Sequence, residues 1–291
     1  MFTTIEGGFM KAIKIEKNPK KEIKAYSKMA VRLILGIIIC LPVIFAVMFS
    51  FESNENIGIG VISLVPKDFT FDNYVYVLKN TPVFTYLKNT FIMLIVCIPA
   101  RVMLGAMAAY GFSFFKFKGN NLLFTLFIIA MMIPGEVIIM THYVMIQEWN
   151  MYDTYVGLTI TGLVDISTMF MLRQNMLSMP KSLREAAFLD GCGDIYYFFK
   201  IALPLCKIVI VAQVLTTFIS VYNSYLWPLL VTSTDDMRTI QTGVANLMRD
   251  SERNLGSVLA GSVLSMIIPG VVYVFGTKQI TEGLTAGSVK G

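Results

Sequence analysis

Hydrophobic positions along this chain fall in long unbroken blocks, not at the two-residue or 3.6-residue spacing of half-buried strands and helices. Six blocks are long enough, at 1.5 Å per helical residue, to cross a hydrocarbon layer of roughly 30 Å. They lie at about 29–51, 87–112, 122–140, 155–172, 205–231 and 257–277. An isolated strand in such a layer would leave its backbone groups unpaired, so the predicted fold is all-α and integral to a membrane. The first block is longer than the roughly 7–15 apolar residues of a leader core and lacks a small-x-small site, so it is expected to be a retained span. Pro134-Gly135 predicts a local kink in the third span.

Polar residues fix the orientation. Hydrophobic residues make up 55% of the chain and charged residues 15%, against about 25% charged in soluble domains. The net charge of +5 does not point to nucleic acid, because its carriers are placed as membrane flanks. Lysines 11, 14, 17, 20, 21, 24 and 28 precede the first span, and Arg32 sits at its edge. Arg173, Lys181, Arg184, Lys200 and Lys207 lie between the fourth and fifth spans, whereas 142–154 has no Lys or Arg. Basic residues concentrate on the cytoplasmic side, so both termini are predicted inside. The expected layout is a mobile basic tail over 1–28, a six-span domain over 29–277, a cytoplasmic loop at about 180–204, and a cytoplasmic tail over 278–291. Two larger segments, 52–86 and 232–256, then face outward. The first carries Phe69, Phe71, Tyr74, Tyr76 and Tyr86, aromatics suited to the lipid interface. Cys40, Cys97, Cys192 and Cys206 form no C-x-x-C pair and are read as reduced. His142 is the only histidine, which excludes a multi-histidine metal site within this chain.

The loop at 180–204 holds the densest local signals. Ser182 and Glu185 have capping-box spacing, predicting a helix from Ser182. Gly191 and Gly193 are expected to end it by allowing positive φ. Asp194 is placed to cap a second short helix over 195–202, whose Tyr196, Tyr197, Phe198, Phe199 and Ile201 suit the bilayer surface. Ala186 and Ala187 would let another protein approach closely. Pro204 opens the next span, where a missing N–H does no harm.

Glu185, Ala186, Ala187, three residues, Gly191, nine residues, then Ile201, Leu203 and Pro204 resemble, at every fixed position, the signature loop of bacterial ABC-importer permeases. Resemblance to the carbohydrate branch, the maltose-type second permease and the glycerol-3-phosphate-type permease, extends through residues 69–74, 108–112, 132–137, 171–174, 222–229 and 279–290. Tyr222 departs from a common Trp, which leaves local packing or ligand contact there open. The resemblance implies a type I importer transmembrane domain in a bacterial cytoplasmic membrane. Such a subunit pairs with a second permease around a translocation path. Two cytoplasmic ATPase subunits dock beneath, through Glu185, Ala186, Ala187, Asp190, Gly191, Ile201, Leu203 and Pro204, and an extracytoplasmic binding protein delivers the substrate. ATP and magnesium would be held by the ATPases. This chain has no G-x-x-x-x-G-K-[ST] phosphate loop, implies no cofactor of its own, and is not expected to be an enzyme.

Residues for the substrate are less clearly marked. Arg101 in the second span and Asp165 in the fourth would each cost roughly 2.5–3.5 kcal/mol facing lipid. They are expected to pair with each other, line a path, or contact the partner permease. Asn223, Tyr225 and Trp227 offer the hydrogen bonds and flat apolar faces that sugars favour, although packing explains such aromatics equally well. Glu136 suits either an outer gate or a solvated position at the kink. A sugar, polyol, sugar acid or glycerol phosphate is compatible with these residues. An ion-gradient carrier would show inverted repeats and buried ion ligands, and a membrane enzyme would need a cluster of acid, base or metal residues. Neither pattern is evident.

Overall fold

The computed structural model describes residues 19–58, 65–250 and 254–288. Within them lie α1 (Pro19–Phe49), α2 (Asn54–Gly58), α3 (Asp72–Asn80), α4 (Val83–Phe114), α5 (Asn120–Met131), α6 (Gly135–Glu148), α7 (Tyr155–Thr159), α8 (Ile166–Leu177), α9 (Lys181–Leu189), α10 (Asp194–Tyr197), α11 (Leu203–Leu205), α12 (Lys207–Tyr222), α13 (Leu226–Val231), α14 (Ile240–Asp250) and α15 (Leu255–Ser288). No β-strand occurs among the described residues, only an antiparallel bridge between Glu52 and Phe69. Lys11, Lys14 and Lys17 of the basic flank lie outside the described residues, as do 289–291. Helix α1 already begins at Pro19, and α15 continues past 277 to Ser288.

Three helices are by themselves long and apolar enough to cross a membrane: α1 from Ser27, α4, and α15 to Gly276. The kink expected at Pro134-Gly135 in the third span is present, and the expectation of continuous fourth and fifth spans is corrected. Helices α5 and α6 meet at 94°, at Pro134, which caps α6. The fourth span is α7, a 3₁₀ turn at Ile160–Gly162, and α8, bent by 42°. Asp165 starts α8 by accepting the Thr168 N–H at 2.9 Å. The stretch Asp194–Leu205 turns into α12 at 75°, and α12 stops at Tyr222, leaving 223–225 non-helical before α13.

Helix α4 is the axis of the packing, against α8, α12, α7 and α14. Its approach to α8 depends on small side chains, because a Cβ on Gly105 would come within 2.9 Å of Thr168 Cγ2, and Ala106 and Ala109 are fully buried. Two apolar clusters result. One joins Tyr86, Met93 and Cys97 of α4 to Leu158, Tyr222 and Ile240. The other joins Ala106 and Tyr110 to Leu172, Met176, Ala187, Tyr197, Phe198 and Cys206. Helices α3 and α14 therefore close the N-terminal end of α4, and α9–α10 close its C-terminal end. Tyr86, expected at the lipid interface, is instead buried and donates to Asp235 at 2.8 Å. All four cysteines are free thiols.

Candidate functional site

The breaks in the third, fourth and fifth spans converge on one cavity of about 490 Å³. Arg101 and Cys97 of α4, Gly135, Glu136 and His142 of α6, Leu158 and Gly162 of the fourth span, and Ser220, Ser224, Tyr225 and Trp227 line it. Arg101 is half-buried, and its Nε donates to the Gly162 carbonyl at 2.6 Å. Trp227 Nε1–H donates to Leu158 O at 3.2 Å, and its ring stands edge-on to His142, centroids 6.2 Å apart. Tyr225 is exposed. The wall thus offers hydroxyls, one carboxylate, one guanidinium and two flat aromatic faces, a set suited to a polyhydroxyl ligand.

Three of the five path residues singled out in the sequence, Arg101, Tyr225 and Trp227, come together here. Asp165 does not line the cavity. Its carboxylate is occupied by Ser167 and Thr168, and it forms no ion pair with Arg101, since the ion pairs among the described residues are Arg184–Asp194 and Arg238–Asp235. Asn223 sits just outside, its Oδ1 3.5 Å from Gln241 Nε2. In the sequence His142 stands out only as the single histidine. Its place on the wall follows from the sharp turn at Pro134, after which α6 packs against α13 and sets His142 beside Trp227; the Pro-Gly pair is the signal in the sequence.

At the opposite end of α4, α9 starts at Lys181 with Pro180 as its N-cap, and the Ser182–Glu185 capping box does not form. Ser182 falls in the second helical position, too far into the helix to cap it. Asp194 is no cap either: Gly193 takes that position, and the Asp194 carboxylate pairs with Arg184 at 2.9 Å and accepts Tyr110 O–H at 3.0 Å. The Arg184 guanidinium also lies over the rings of Phe114 and Phe188. This clamp fixes α9 to both α4 and α10. The far end of α9 closes as foreseen at Gly191, with φ +83°. Cys192 N–H bonds to Ala187 O at 3.0 Å and Gly191 N–H to Phe188 O at 3.1 Å, the paired bonds of a Schellman cap. Gly193, at φ −81°, needs no such freedom.

The signature residues divide by face. Glu185, Ala186, Asp190, Gly191 and Pro204 are exposed, and Leu189 is 88% exposed. Ala187 is buried against the chain's own second cluster, with Ile201 and Leu203 packed beside it, so its small size serves internal packing. Tyr197 and Phe198, expected on the bilayer surface, also turn inward, which leaves Ile195, Tyr196 and Phe199 exposed.

Residues 101–279 match the family model for the binding-protein-dependent transport system inner membrane component. The chain is 30% identical to the arabinooligosaccharides transport system permease protein AraQ of Halalkalibacterium halodurans, over 88% of this chain and 93% of that protein. It is 29% identical to the sn-glycerol-3-phosphate transport system permease protein UgpE of Yersinia pestis, over 87% and 94%. A chain of a bacterial ABC transporter involved in import of the acidic polysaccharide alginate superposes with a TM-score of 0.78 at 20% identity, covering 89% of this chain and 97% of that one. The same type of transporter in complex with an alginate pentasaccharide-bound periplasmic protein gives 0.63 at 17% identity, covering 88% and 94%. The fold is that of a type I ABC importer permease.

Proposed function

The chain belongs to the family of binding-protein-dependent transport system inner membrane components, and on that premise we propose that it is a permease subunit of an ATP-driven sugar importer. It spans the membrane with both termini in the cytoplasm and forms half of a translocation path with a second permease. Two ATPase subunits, binding ATP and magnesium, sit beneath α9, and a substrate-binding protein docks on the α3–α14 side.

The observation that carries this reading is the two-faced construction of α9. Arg184, Ala187 and Phe188 hold the helix to its own chain, while Glu185, Ala186, Leu189 and Asp190 stand free on the other face. A short helix clamped at its middle and capped at its end moves as one rigid piece. It therefore suits transmission of ATPase closure to α4 and α8. The substrate is read as an oligosaccharide from the hydroxyl-bearing, aromatic cavity, with the arabinooligosaccharide relative in support. Arg101 on the same wall favours a second reading, a sugar acid or glycerol phosphate.

Pull-down of the ATPase from solubilised membranes tests the assembly. Leu189→Asp and Glu185→Lys are expected to lose the ATPase while retaining the melting behaviour of wild type. A wild type that transports with no nucleotide-binding partner refutes the proposal in favour of a gradient-driven carrier. Competition of uptake by neutral oligosaccharide, sugar acid and glycerol phosphate decides between the substrate readings.

A further inference from the structure

We propose that the α4–α5 turn holds an anionic phospholipid headgroup in a basic pocket built around Arg173 and Lys116. The hollow, of about 410 Å³, is lined by Lys116, Arg173, Asn120, Asn121 and the rings of Phe112, Phe115 and Phe117. No acidic side chain lines it.

Arg173 is the residue that asks for a ligand. Its guanidinium lies 3.8 Å from the Phe124 ring centroid, and Phe124 is itself backed by Phe112 and Phe170. This stack holds the charge against an aromatic wall in a fixed orientation. Its Nε is sealed from solvent without a hydrogen-bond partner, and Arg173 takes part in no ion pair among the described residues. Nε itself is closed to a ligand, so a phosphodiester oxygen would take its charge-assisted bonds from the terminal amino groups of the same guanidinium, which lines the hollow.

The second half of the pocket is backbone. Gly119, at φ +87°, turns the chain into the twelve-residue helix α5 and gives it no side-chain cap. Asn120 N–H bonds back to Phe117 O at 3.3 Å, which leaves the N–H groups of Asn121 and Leu122, both residues of the lining, at the positive end of the helix dipole. Lys116 adds a second cation from the other side of the turn.

A lipid is the occupant because the surroundings continue as lipid would. Leu122, Leu126 and Ile129 run along α5 with more than half their surface exposed, and Phe115 and Phe117 are exposed beside the charges. A headgroup in the pocket would lay its acyl chains down that face. Basic pockets between spans at the membrane edge bind headgroups of this sign. The inference stands apart from the transport reading, since it uses no feature of α9 or of the central cavity. Ser113 and Lys116 also line the neighbouring hollow that reaches Arg184 and Glu185 of α9, so a lipid here would lie beside that helix.

Native mass spectrometry of the full-length chain, released from micelles containing phosphatidylglycerol and phosphatidylcholine, tests the site. Wild type is expected to retain the anionic lipid selectively. Each cation near the membrane contributes about fivefold in affinity, so Lys116→Gln with Arg173→Gln should reduce the selectivity roughly 25-fold, while Lys181→Gln leaves it unchanged. Should the double variant not fold, Lys116→Gln alone is expected to lose about fivefold. Equal retention of both lipids by wild type, or selectivity intact in the glutamine variants, overturns the proposal. Displacement of the lipid by inorganic phosphate also overturns it, by marking the pocket as a site for the free ion.

Discussion

Gly191 gives the sharpest test of how α9 is finished. Its φ of +83° lies in the left-handed region, and a Cβ placed on it would meet nothing within 4 Å. Any effect of substitution must therefore come from the backbone and not from crowding. An ordinary L-residue loses about 1–2 kcal/mol in this conformation. Asparagine loses less, because its short polar side chain tolerates it, and valine more, because of its branched Cβ. Proline fixes φ near −65° and also deletes the Gly191 N–H that bonds to Phe188 O at 3.1 Å.

The strained variants relieve themselves by opening the last turn of α9, at the expense of the two Schellman bonds. Docking of a partner that reads the closed turn should then weaken by roughly five- to thirtyfold for Gly191→Ala. The expected order of retained coupling is Gly, Asn, Ala, Val, Pro. Substrate-stimulated ATP hydrolysis by the reconstituted complex measures it, with thermal melting of each variant as control. Because the strain is relieved locally in the last turn of α9, melting should fall across the first four members by no more than those lost bonds and about 1–2 kcal/mol of strain allow. A Val variant as well coupled as wild type, or Asn and Ala variants indistinguishable from Val, would refute the reasoning.

Gly243 is the opposite case. A Cβ there would overlap Cδ2 and Cε2 of the buried Tyr86 ring, so Gly243→Ala should cost about 1–3 kcal/mol of stability from overpacking, and denaturant titration in detergent should read the loss as a lower midpoint. Trp227→Phe removes the 3.2 Å bond to Leu158 O but keeps most of the ring, so about 0.5–1.5 kcal/mol should be lost, with the change visible as a lower melting temperature. Asp153 is pushed up by burial, but the N–H of Ser233 and the hydroxyl and N–H of Thr234 outweigh this and hold its carboxyl below the usual range. A depressed folded pKa means that its stabilisation is complete above the ordinary carboxylate pKa of about 3.9 and is lost as pH falls below it. Asp153→Asn should therefore lower stability most at neutral pH, where the carboxylate's contribution is complete, and converge with wild type below about pH 4, which flattens the acid limb of the stability-versus-pH curve.

Long apolar blocks made the helical class plain, because crossing a hydrocarbon layer needs length and composition, and both are written linearly. The signature positions and the αL turn at Gly191 were legible for similar reasons: each depends on residue type at a fixed spacing. What a one-dimensional reading lacked was direction. Ser182 and Glu185 have the right spacing for a box, yet Pro180 starts the helix earlier and moves both residues out of register. Asp194 looks like a cap until Arg184 and Tyr110, distant in sequence from each other, claim its carboxylate. Ala187 and Tyr197 read as surface residues because nothing in the loop itself reveals the cluster on α4 and α8 that buries them.

The broken spans, which hydropathy reads as continuous, explain why the cavity is polar at all. Non-helical backbone at membrane depth is tolerated only where it is buried in protein or lines an aqueous hollow. Each break here meets that condition in a particular way. The turn after α7 presents the Gly162 carbonyl, which Arg101 Nε covers. Asp165 caps the restart of that span. The Pro134–Gly135 turn brings Gly135 and Glu136 to the wall, and the non-helical stretch 223–225 brings Ser224 and Tyr225. Arg101 thus has a structural duty that is independent of any substrate charge. An Arg101→Lys substitution keeps the charge but gives up the Nε donor, whereas Arg101→Gln gives up the charge and keeps a shorter N–H donor. If Arg101 serves the backbone alone, thermal stability should fall in the Lys variant and uptake selectivity should not shift in the Gln variant. If it also reads an anionic substrate, Gln should abolish competition by that substrate while neutral sugar still enters. The two duties separate in one pair of variants because the carbonyl needs a directed donor, and an anion in a wet cavity needs chiefly a charge.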